Sequence, residues 1–268
     1  MKLLLTGAGG GVATQIRPLL RAEFGTIILS DRAPITDLAK GESFRLADLS
    51  DPAQIAGALA GITHVIHLGG QSVEADWPTV MERNIQGLVT FYEAARTAGV
   101  QRIIFASSNH AIGFHKRTTL LPADVAPRPD SRYGVSKAFG EALASLFADK
   151  HGLQTLSIRI GNIGDAPLDR RRLSLWQHPE DFVQLCKIGL THPDIHAQTV
   201  WGVSAADPIW WDNSAATALG YTPAHFASDH ASDVLARSEA PDPVGDHFQG
   251  GTFTTDEFDG DLERTLNA

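Results

Sequence analysis

The chain has 268 residues, of which 43% are apolar and 20% charged, and its formal net charge is −9 at pH 7. This length suits one large domain, and the acidic balance disfavours nucleic acid as a partner because a phosphate-binding face needs a basic stripe. The single cysteine, together with the lack of any apolar run as long as a signal peptide or a membrane span, leads us to expect a cytoplasmic protein without membrane contact.

Short apolar runs alternate with longer amphipathic segments over the first 160 residues. The runs that we interpret as buried strands are Leu3–Leu5, Ile27–Leu29, Val65–Leu68, Ile103–Ala106 and Leu156–Ile160. The segments between them that we predict to be helical are 11–23, 52–60, 77–98 and 131–150. This alternation predicts an α/β protein with a Rossmann-like, doubly wound parallel sheet and helices on both faces.

The rhythm changes after about residue 161, where Pro, Trp, His and Asp become frequent. Gln198–Val203 is the one further strand that the pattern predicts. We therefore expect a nucleotide-binding domain over 1–160. Residues 161–268 should add a small substrate-binding lobe and a last strand of the sheet, within one compact unit. The tail from about residue 239 is rich in Asp, Gly and Pro, and we expect it to be partly loose.

A glycine cluster, Thr6-Gly-Ala-Gly-Gly-Gly-Val-Ala13, joins the first predicted strand to the first helix. Gly7 would permit the tight turn, Gly10 would let a pyrophosphate approach the backbone, and Ala13 would let the helix pack close to the strand. The helix N-terminus would then offer unpaired amides to the phosphates. This context predicts a dinucleotide site, which a glycine cluster alone would not.

The second strand ends in Asp31, whose carboxylate can accept hydrogen bonds from both hydroxyls of an adenosine ribose. The same charge repels a 2′-phosphate, so we expect NAD rather than NADP. Arg32 weakens this expectation, because its guanidinium could hold the 2′-phosphate of NADP. Two further strand ends, Asp48-Leu49 and Leu68-Gly-Gly70, would lie beside the adenine and beside the nicotinamide end, although turn glycines without a ligand are the alternative for the second.

Ser108 ends the strand that begins near Arg102, and Tyr133 and Lys137 stand four residues apart at the start of the next long helix. That spacing puts the phenol and the ammonium on one helix face, where the positive charge should lower the tyrosine pKa. With the serine opposite, the three residues are typical of a site that transfers a proton and a hydride.

These residues together resemble the extended branch of the short-chain dehydrogenase/reductase superfamily. Within it, Phe105-Ala-Ser-Ser-Asn-His110, Arg132-Tyr-Gly-x-Ser-Lys137, Ile158-Arg-Ile-Gly161 and Trp210-Trp-Asp-Asn213 are similar to the bacterial uronate dehydrogenases over nearly the whole chain. The residues that we expect to contact the NAD cofactor are Gly7, Gly10, Gly11, Val12, Asp31, Arg32, Asp48, Leu49, Leu68, Gly69, Gly70, Asn84, Ser107, Tyr133, Lys137 and Ile160.

The resemblance implies oxidation of C1 of a cyclic glucuronate or galacturonate to an aldarolactone. In this scheme Tyr133 takes the hydroxyl proton, Ser108 orients the hydroxyl, and Lys137 lowers the tyrosine pKa and binds the nicotinamide ribose. The residues expected to hold the sugar acid are Ser72, Ser108, Asn109, His110, Tyr133, Asn162 and Arg171. His110 could instead cap a turn or satisfy the core, and only the resemblance selects Arg171 among three consecutive arginines.

Asn162 departs from the related enzymes, which have a serine after Ile-Arg-Ile-Gly, and this leaves the preferred sugar open. The alternatives are an NAD-dependent nucleotide-sugar epimerase or dehydratase, a neutral aldose dehydrogenase, and a non-catalytic NAD-sensing regulator. We expect no metal: His225 and His230 are five residues apart, which is poor spacing for one helix face. Trp210 and Trp211 could line the sugar site but are more typical of a core. The resemblance also implies a homodimer or a higher homo-oligomer.

Overall fold

A computed structural model describes all 268 residues and contains one parallel sheet of seven strands. The structure has nine strands, seven in this sheet and two in a separate pair: β1 (Leu3–Thr6), β2 (Ile27–Asp31), β3 (Glu42–Leu46), β4 (His64–His67), β5 (Arg102–Ser108), β6 (Gln154–Ile160), β7 (Asn162–Ile163), β8 (Trp176–Gln177) and β9 (Ala197–Gly202). The order in the main sheet is β3-β2-β1-β4-β5-β6-β9, and β7 pairs with β8 outside it. The predicted doubly wound fold is confirmed.

Helices cover both faces of this sheet. They are α1 (Gly11–Phe24), α2 (Pro52–Leu59), α3 (Trp77–Val80), α4 (Gly87–Ala98), α5 (Arg132–His151), α6 (Pro179–Thr191), α7 (Ser214–Ala218), α8 (Ala231–Leu235), α9 (Thr252–Thr255) and α10 (Leu262–Asn267). The single helix predicted over 77–98 is present as α3 and α4, which a wider π-helical turn joins. No helix combines the length and the apolar character that crossing a membrane requires.

The alternation of side chains along each strand produces two cores. Leu3 and Leu5 of β1 pack on one face with α1 and α6, whereas Leu4 packs on the other face with α2, α4 and α5. Successive residues of a strand point to opposite sides, so a strand covered on both sides must be apolar at every position. This requirement explains the continuous apolar runs in the sequence.

Residues after 160 form part of the main sheet and its helical layer, and they also cover the edge at which the strands end. Strand β9 pairs with β6, and α6 packs against α1. The division of the chain at residue 160 therefore stays a prediction. The expectation of a loose tail is wrong for residues 245–258: Phe248 and Gln249 are fully buried, and the Gln249 amide donates to the His115 carbonyl. The composition suggested disorder because this segment is rich in glycine. In the structure these glycines instead allow the backbone to pack closely against its neighbours.

Two glycines inside helices should respond oppositely to the same substitution. A Cβ at Gly140 in α5 would overlap the Phe105 ring, whereas a Cβ at the exposed Gly57 in α2 would meet nothing. We expect Gly140→Ala to destabilise the fold by about 1–3 kcal/mol through overpacking. Gly57→Ala should stabilise it by about 0.5–1 kcal/mol through helix propensity. The free energy of unfolding from urea titration measures both, and changes of the same sign would contradict the packing described here.

Candidate active site

A cleft of about 950 Å³ lies where the main strands end at their carboxyl termini. Parallel strands bring these ends to one edge of the sheet, and ligands of open α/β sheets bind outside that edge. Fifteen of the sixteen residues expected at the cofactor line the cleft, and Asn84 is the exception. The Asn84 amide lies behind the wall, where it bonds the Gln71 backbone and the Ser136 hydroxyl. Its observed contacts therefore support the Gly70–Gln71 turn.

The turn after β1 has the geometry that a pyrophosphate requires. Gly7 has φ +65°, and a Cβ there would lie 2.8 Å from the backbone of Leu68, so this position accepts only glycine. Helix α1 begins at Gly11, and no side chain caps its N-terminus. The first amides of the helix consequently remain available to an anion.

Asp31 is fixed at the adenosine end of the cleft by backbone amides. Its carboxylate accepts hydrogen bonds from Gly9 at 3.0 Å and from Ala33 at 3.3 Å. The charge is thereby held next to the glycine turn, where a ribose would meet it. Arg32 is exposed and also lines the cleft, so the strict preference for NAD over NADP stays a prediction.

Ser108, Tyr133 and Lys137 come together at the floor of the cleft, as the sequence predicts, and all three are buried. Ser108 ends β5, and the other two lie in the first two turns of α5. The Lys137 ammonium donates to the Ala106 carbonyl at 2.7 Å and lies 5.3 Å from the Tyr133 ring centre. The end of strand β5 and the start of helix α5 thus carry all three residues expected to take part in proton transfer.

The pKa of the tyrosine differs from the expectation. Burial raises the pKa of the Tyr133 phenol to about 12, which outweighs the lowering effect of a hydrogen bond with Ser108. Burial also lowers the pKa of Lys137 to about 8. The lowering effect of Lys137 on the tyrosine pKa therefore stays a prediction, while the net shift of the Tyr133 pKa in the chain without ligands is upward because desolvation is its largest cause.

An unpredicted carboxylate holds the start of α5. Glu74 accepts hydrogen bonds from the Tyr133 backbone amide at 2.8 Å and from the Arg132 guanidinium at 2.8 Å. A negative charge at a helix N-terminus is favourable, and here it also fixes the backbone of the tyrosine. The two residues are 59 positions apart, so no local pattern could have indicated the contact.

The cleft is also lined by Ser72, His110 and Asn162, three of the residues expected to hold a sugar acid, and by Phe253, which the sequence did not indicate. The His110 ring stacks on Phe253 with 3.8 Å between ring centres. Its Nδ1 lies 2.7 Å from a carboxylate oxygen of the buried Asp130. Phe253 belongs to the tail segment that the composition suggested to be loose.

Asn109 and Arg171 lie behind this part of the cleft and are not in its lining. With its amide oriented to satisfy both neighbours, Asn109 donates to the Ile160 carbonyl at 3.2 Å and accepts from the Arg171 guanidinium at 2.9 Å. Arg171 also donates through Nε to the Gln249 carbonyl. Asn109 is 1% exposed and thus supports the arginine in this structure, while the sequence suggested a direct sugar contact.

Only one of the three consecutive arginines points inward without a carboxylate partner. Arg172 pairs with Asp169, and Arg170 is exposed and contacts the Leu235 carbonyl. Arg171 forms no ion pair, and burial lowers its pKa to about 10, which still leaves it cationic at neutral pH. A guanidinium that forms no ion pair is a suitable receptor for a carboxylate, and the nearby buried Asp130 carboxylate partly offsets the effect of burial on its pKa.

Other candidate groups belong to the core or to the surface. Trp210 and Trp211 are buried in a hydrophobic cluster, where Trp211 stacks on Trp201 at 4.6 Å. His225 has its nearest acidic neighbours in Glu180 and Asp181, and its ring stacks on His178 at 3.5 Å. One potential ligand atom from each of His178, Glu180 and His225 lies within 4.8 Å of the other two, a cluster that the spacing of His225 and His230 did not indicate.

Comparisons with known proteins agree with this geometry. Residues 3–165 match the NAD dependent epimerase/dehydratase family. A uronate dehydrogenase of Pseudomonas putida is 40% identical over 257 residues, which are 94% of this chain and 95% of that protein. The structure of a glucuronic acid dehydrogenase from Chromohalobacter salexigens superposes with a TM-score of 0.91 at 39% sequence identity. The match covers 95% of this chain and 96% of that protein's chain. A tyrosine-to-alanine mutant of Agrobacterium tumefaciens uronate dehydrogenase, complexed with NAD, has TM-score 0.90 at 39% identity, with 95% and 97% covered.

The pKa of Lys137 predicts a pH dependence of stability. Because burial lowers this pKa from 10.5 to about 8, the folded chain loses the proton first, and the unfolded chain binds more protons between these values. The lysine's contribution to stability therefore rises with pH across that window. We expect wild type to gain about 2 kcal/mol relative to Lys137→Met between about pH 7.5 and about pH 10. Denaturant titrations at several pH values measure this difference, and a pH-independent one would contradict the buried position.

Proposed function

The chain belongs to the NAD dependent epimerase/dehydratase family, and we propose that it oxidises C1 of a cyclic hexuronic acid to an aldarolactone with NAD. The observation that carries the proposal is the joint geometry of the cleft. Tyr133, Ser108 and Lys137 line the same cleft as a dinucleotide-type glycine turn, and Arg171, which makes no ion pair, lies directly behind Asn109 at its wall. The similarity to uronate dehydrogenases over nearly the full length of both chains supports the same conclusion.

The residues of the cleft fit NAD at both ends. The open helix N-terminus at Gly11 suits the pyrophosphate, and the Asp31 carboxylate suits an unphosphorylated adenosine ribose. Lys137 lies where it can donate to the hydroxyls of the nicotinamide ribose, since its Nζ uses one donor on Ala106. When bound, the cofactor supplies the hydride acceptor and adds a positive charge to the site.

Proton removal from the C1 hydroxyl is the part of the reaction that we assign to the chain. Ser108 donates to the substrate oxygen and orients it, and Tyr133 accepts the proton as phenolate. Burial keeps the pKa of Tyr133 near 12 without ligands, and the Lys137 ammonium, 5.3 Å from the ring centre, favours the phenolate. A bound NAD would add positive charge to the cleft and would favour the phenolate further.

Recognition of the uronate carboxylate is assigned to Arg171. Asn109 and the Gln249 carbonyl hold its guanidinium in place, and no acidic side chain forms an ion pair with it. A nucleotide-sugar enzyme would need further cations for a diphosphate, and a neutral aldose dehydrogenase would need no inward arginine. Both alternatives are thus less consistent with a single unpaired guanidinium, and an NAD-sensing regulator would have no use for the tyrosine and serine pair.

We also propose that the chain forms a homodimer or a higher homo-oligomer. Trp77, Met81, Val135 and Leu146 are between 40% and 50% exposed on or beside α3 and α5, and such apolar surface favours burial against a partner. Sedimentation or light scattering measures the assembly. The expected cytoplasmic location likewise stays a prediction.

Removal of the tyrosine hydroxyl should abolish turnover and leave cofactor binding intact. We expect Tyr133→Phe to lower kcat for glucuronate or galacturonate by about two orders of magnitude or more, because the substitution removes the group proposed to accept the proton. NADH absorbance measures turnover, and quenching of tryptophan fluorescence measures NAD binding. Unchanged turnover would contradict the assignment, and turnover by wild type of nucleotide sugars but not of free uronates would overturn the proposed substrate.

Adjacent arginines provide a matched pair for the carboxylate contact. Arg171→Ala should raise the uronate KM by about 10- to 100-fold, the range expected for a charged hydrogen bond, with little change for a neutral aldose. Arg170→Ala removes the same charge from the neighbouring residue, whose side chain is exposed. This substitution should change neither the uronate KM nor the aldose KM. Arg171 would not be the carboxylate receptor if Arg171→Ala raised the KM of uronate and of aldose equally, or if Arg170→Ala raised the uronate KM as much as Arg171→Ala does.

A further inference from the structure

We propose that Asp130 is a positioning residue for the sugar end of the cleft. It holds the His110 ring with a proton on Nδ1 and so leaves Nε2 to accept a hydrogen bond from one sugar hydroxyl. This inference rests on the proposed function, because it assigns the substrate contact of that same site. The observation that motivates it is a buried carboxylate–imidazole pair beside the proposed base.

The pair has the geometry of a directed hydrogen bond. His110 Nδ1 lies 2.7 Å from Asp130 Oδ2, and the Asp130 side chain has no solvent exposure. The His110 side chain is 13% exposed and lines the cleft. An ionised carboxylate can only accept, so Nδ1 must donate, and a carboxylate at one ring nitrogen fixes which nitrogen faces a ligand.

The carboxylate has no room to turn away from the ring. Its other oxygen accepts from the Ser131 hydroxyl at 2.8 Å. A Cβ at either Gly113 or Gly250 would overlap Oδ2, and the Gly250 amide donates to the Gly113 carbonyl at 2.8 Å. Two glycines from distant parts of the chain therefore enclose Asp130, and their backbone pairing keeps the enclosure closed.

The imidazole plane is fixed as well. Phe253 stacks on the ring with an interplanar angle of 24°, and the Tyr133 ring meets it edge-on at 5.9 Å between centres. The acceptor at Nε2 therefore has a set direction next to the phenol that takes the C1 proton. A fixed acceptor beside the reacting carbon discriminates between sugars, because a sugar without the matching hydroxyl leaves it unpaired.

Steady-state kinetics with a panel of monodeoxy uronates tests this role. Asp130→Asn should raise the uronate KM about tenfold, the effect of losing a charged acceptor, and leave the NAD KM within about twofold. Wild type should discriminate against one deoxy substrate by about tenfold, and both Asp130→Asn and His110→Gln should lose that discrimination. Gly250→Ala, whose Cβ displaces the carboxylate, should reproduce the Asp130→Asn profile. Asp124→Asn, on the exposed surface of the same loop, is the charge-matched control and should match wild type.

The histidine tautomer can be measured without turnover. In protein labelled with ¹⁵N-histidine, the His110 ring signals are identified by their loss in His110→Gln, and we expect a protonated Nδ1 in wild type and an altered pattern in Asp130→Asn. This measurement separates failure of the inference from failure of the proposed function, because it needs no substrate. A proton on Nε2 in the wild type would overturn the inference, and so would an Asp130→Asn variant that keeps the wild-type deoxy discrimination and loses only thermal stability.

Discussion

The parallel pairing of β1, β4, β5 and β6 is the constraint on which the site depends. Their register sets Thr6 beside His67 and Ser108 beside Ile160, so that four strands terminate at one edge. Each strand is covered on both faces and cannot slip by one residue without moving its apolar side chains to the wrong core. The positions of the glycine turn, the serine and the start of α5 therefore follow from packing that lies well away from the cleft itself.

Desolvation dominates the electrostatics of this edge. Tyr133 and Lys137 share a helix face, yet burial shifts the pKa of each toward its neutral form. His67, behind the same wall, is also kept neutral because burial lowers its pKa to about 3. At neutral pH the chain alone thus holds a neutral phenol and a neutral His67 beside Lys137, which a pKa of about 8 leaves mostly cationic, with Arg171 as a second cation. Positive charge brought by a bound NAD would favour the phenolate further.

The sequence predicted the sheet, the helices on both faces and nearly all of the cofactor cleft, because these features follow from local periodicity and from residues at strand ends. It could not predict the support of the sugar end. Asp130, Glu74 and Phe253 act through contacts across 20 to more than 100 positions, and none stands in a local motif. Likewise, the sequence gives no reason why Arg171 and not its neighbours points inward, since that depends on where Asn109 and Gln249 lie.

The long-range contacts of residues 245–258 bear on the order in which the parts of the protein fold. Its backbone bonds to Gly113 and His115, and its contact with Arg171, join residues that lie far apart in the chain. Contacts of such long separation form late, because their loop-closure entropy is unfavourable until the rest of the chain is ordered. Residues 245–258 are therefore expected to order after the sheet against which they pack, so the wall that Phe253 contributes to the cleft forms late in folding.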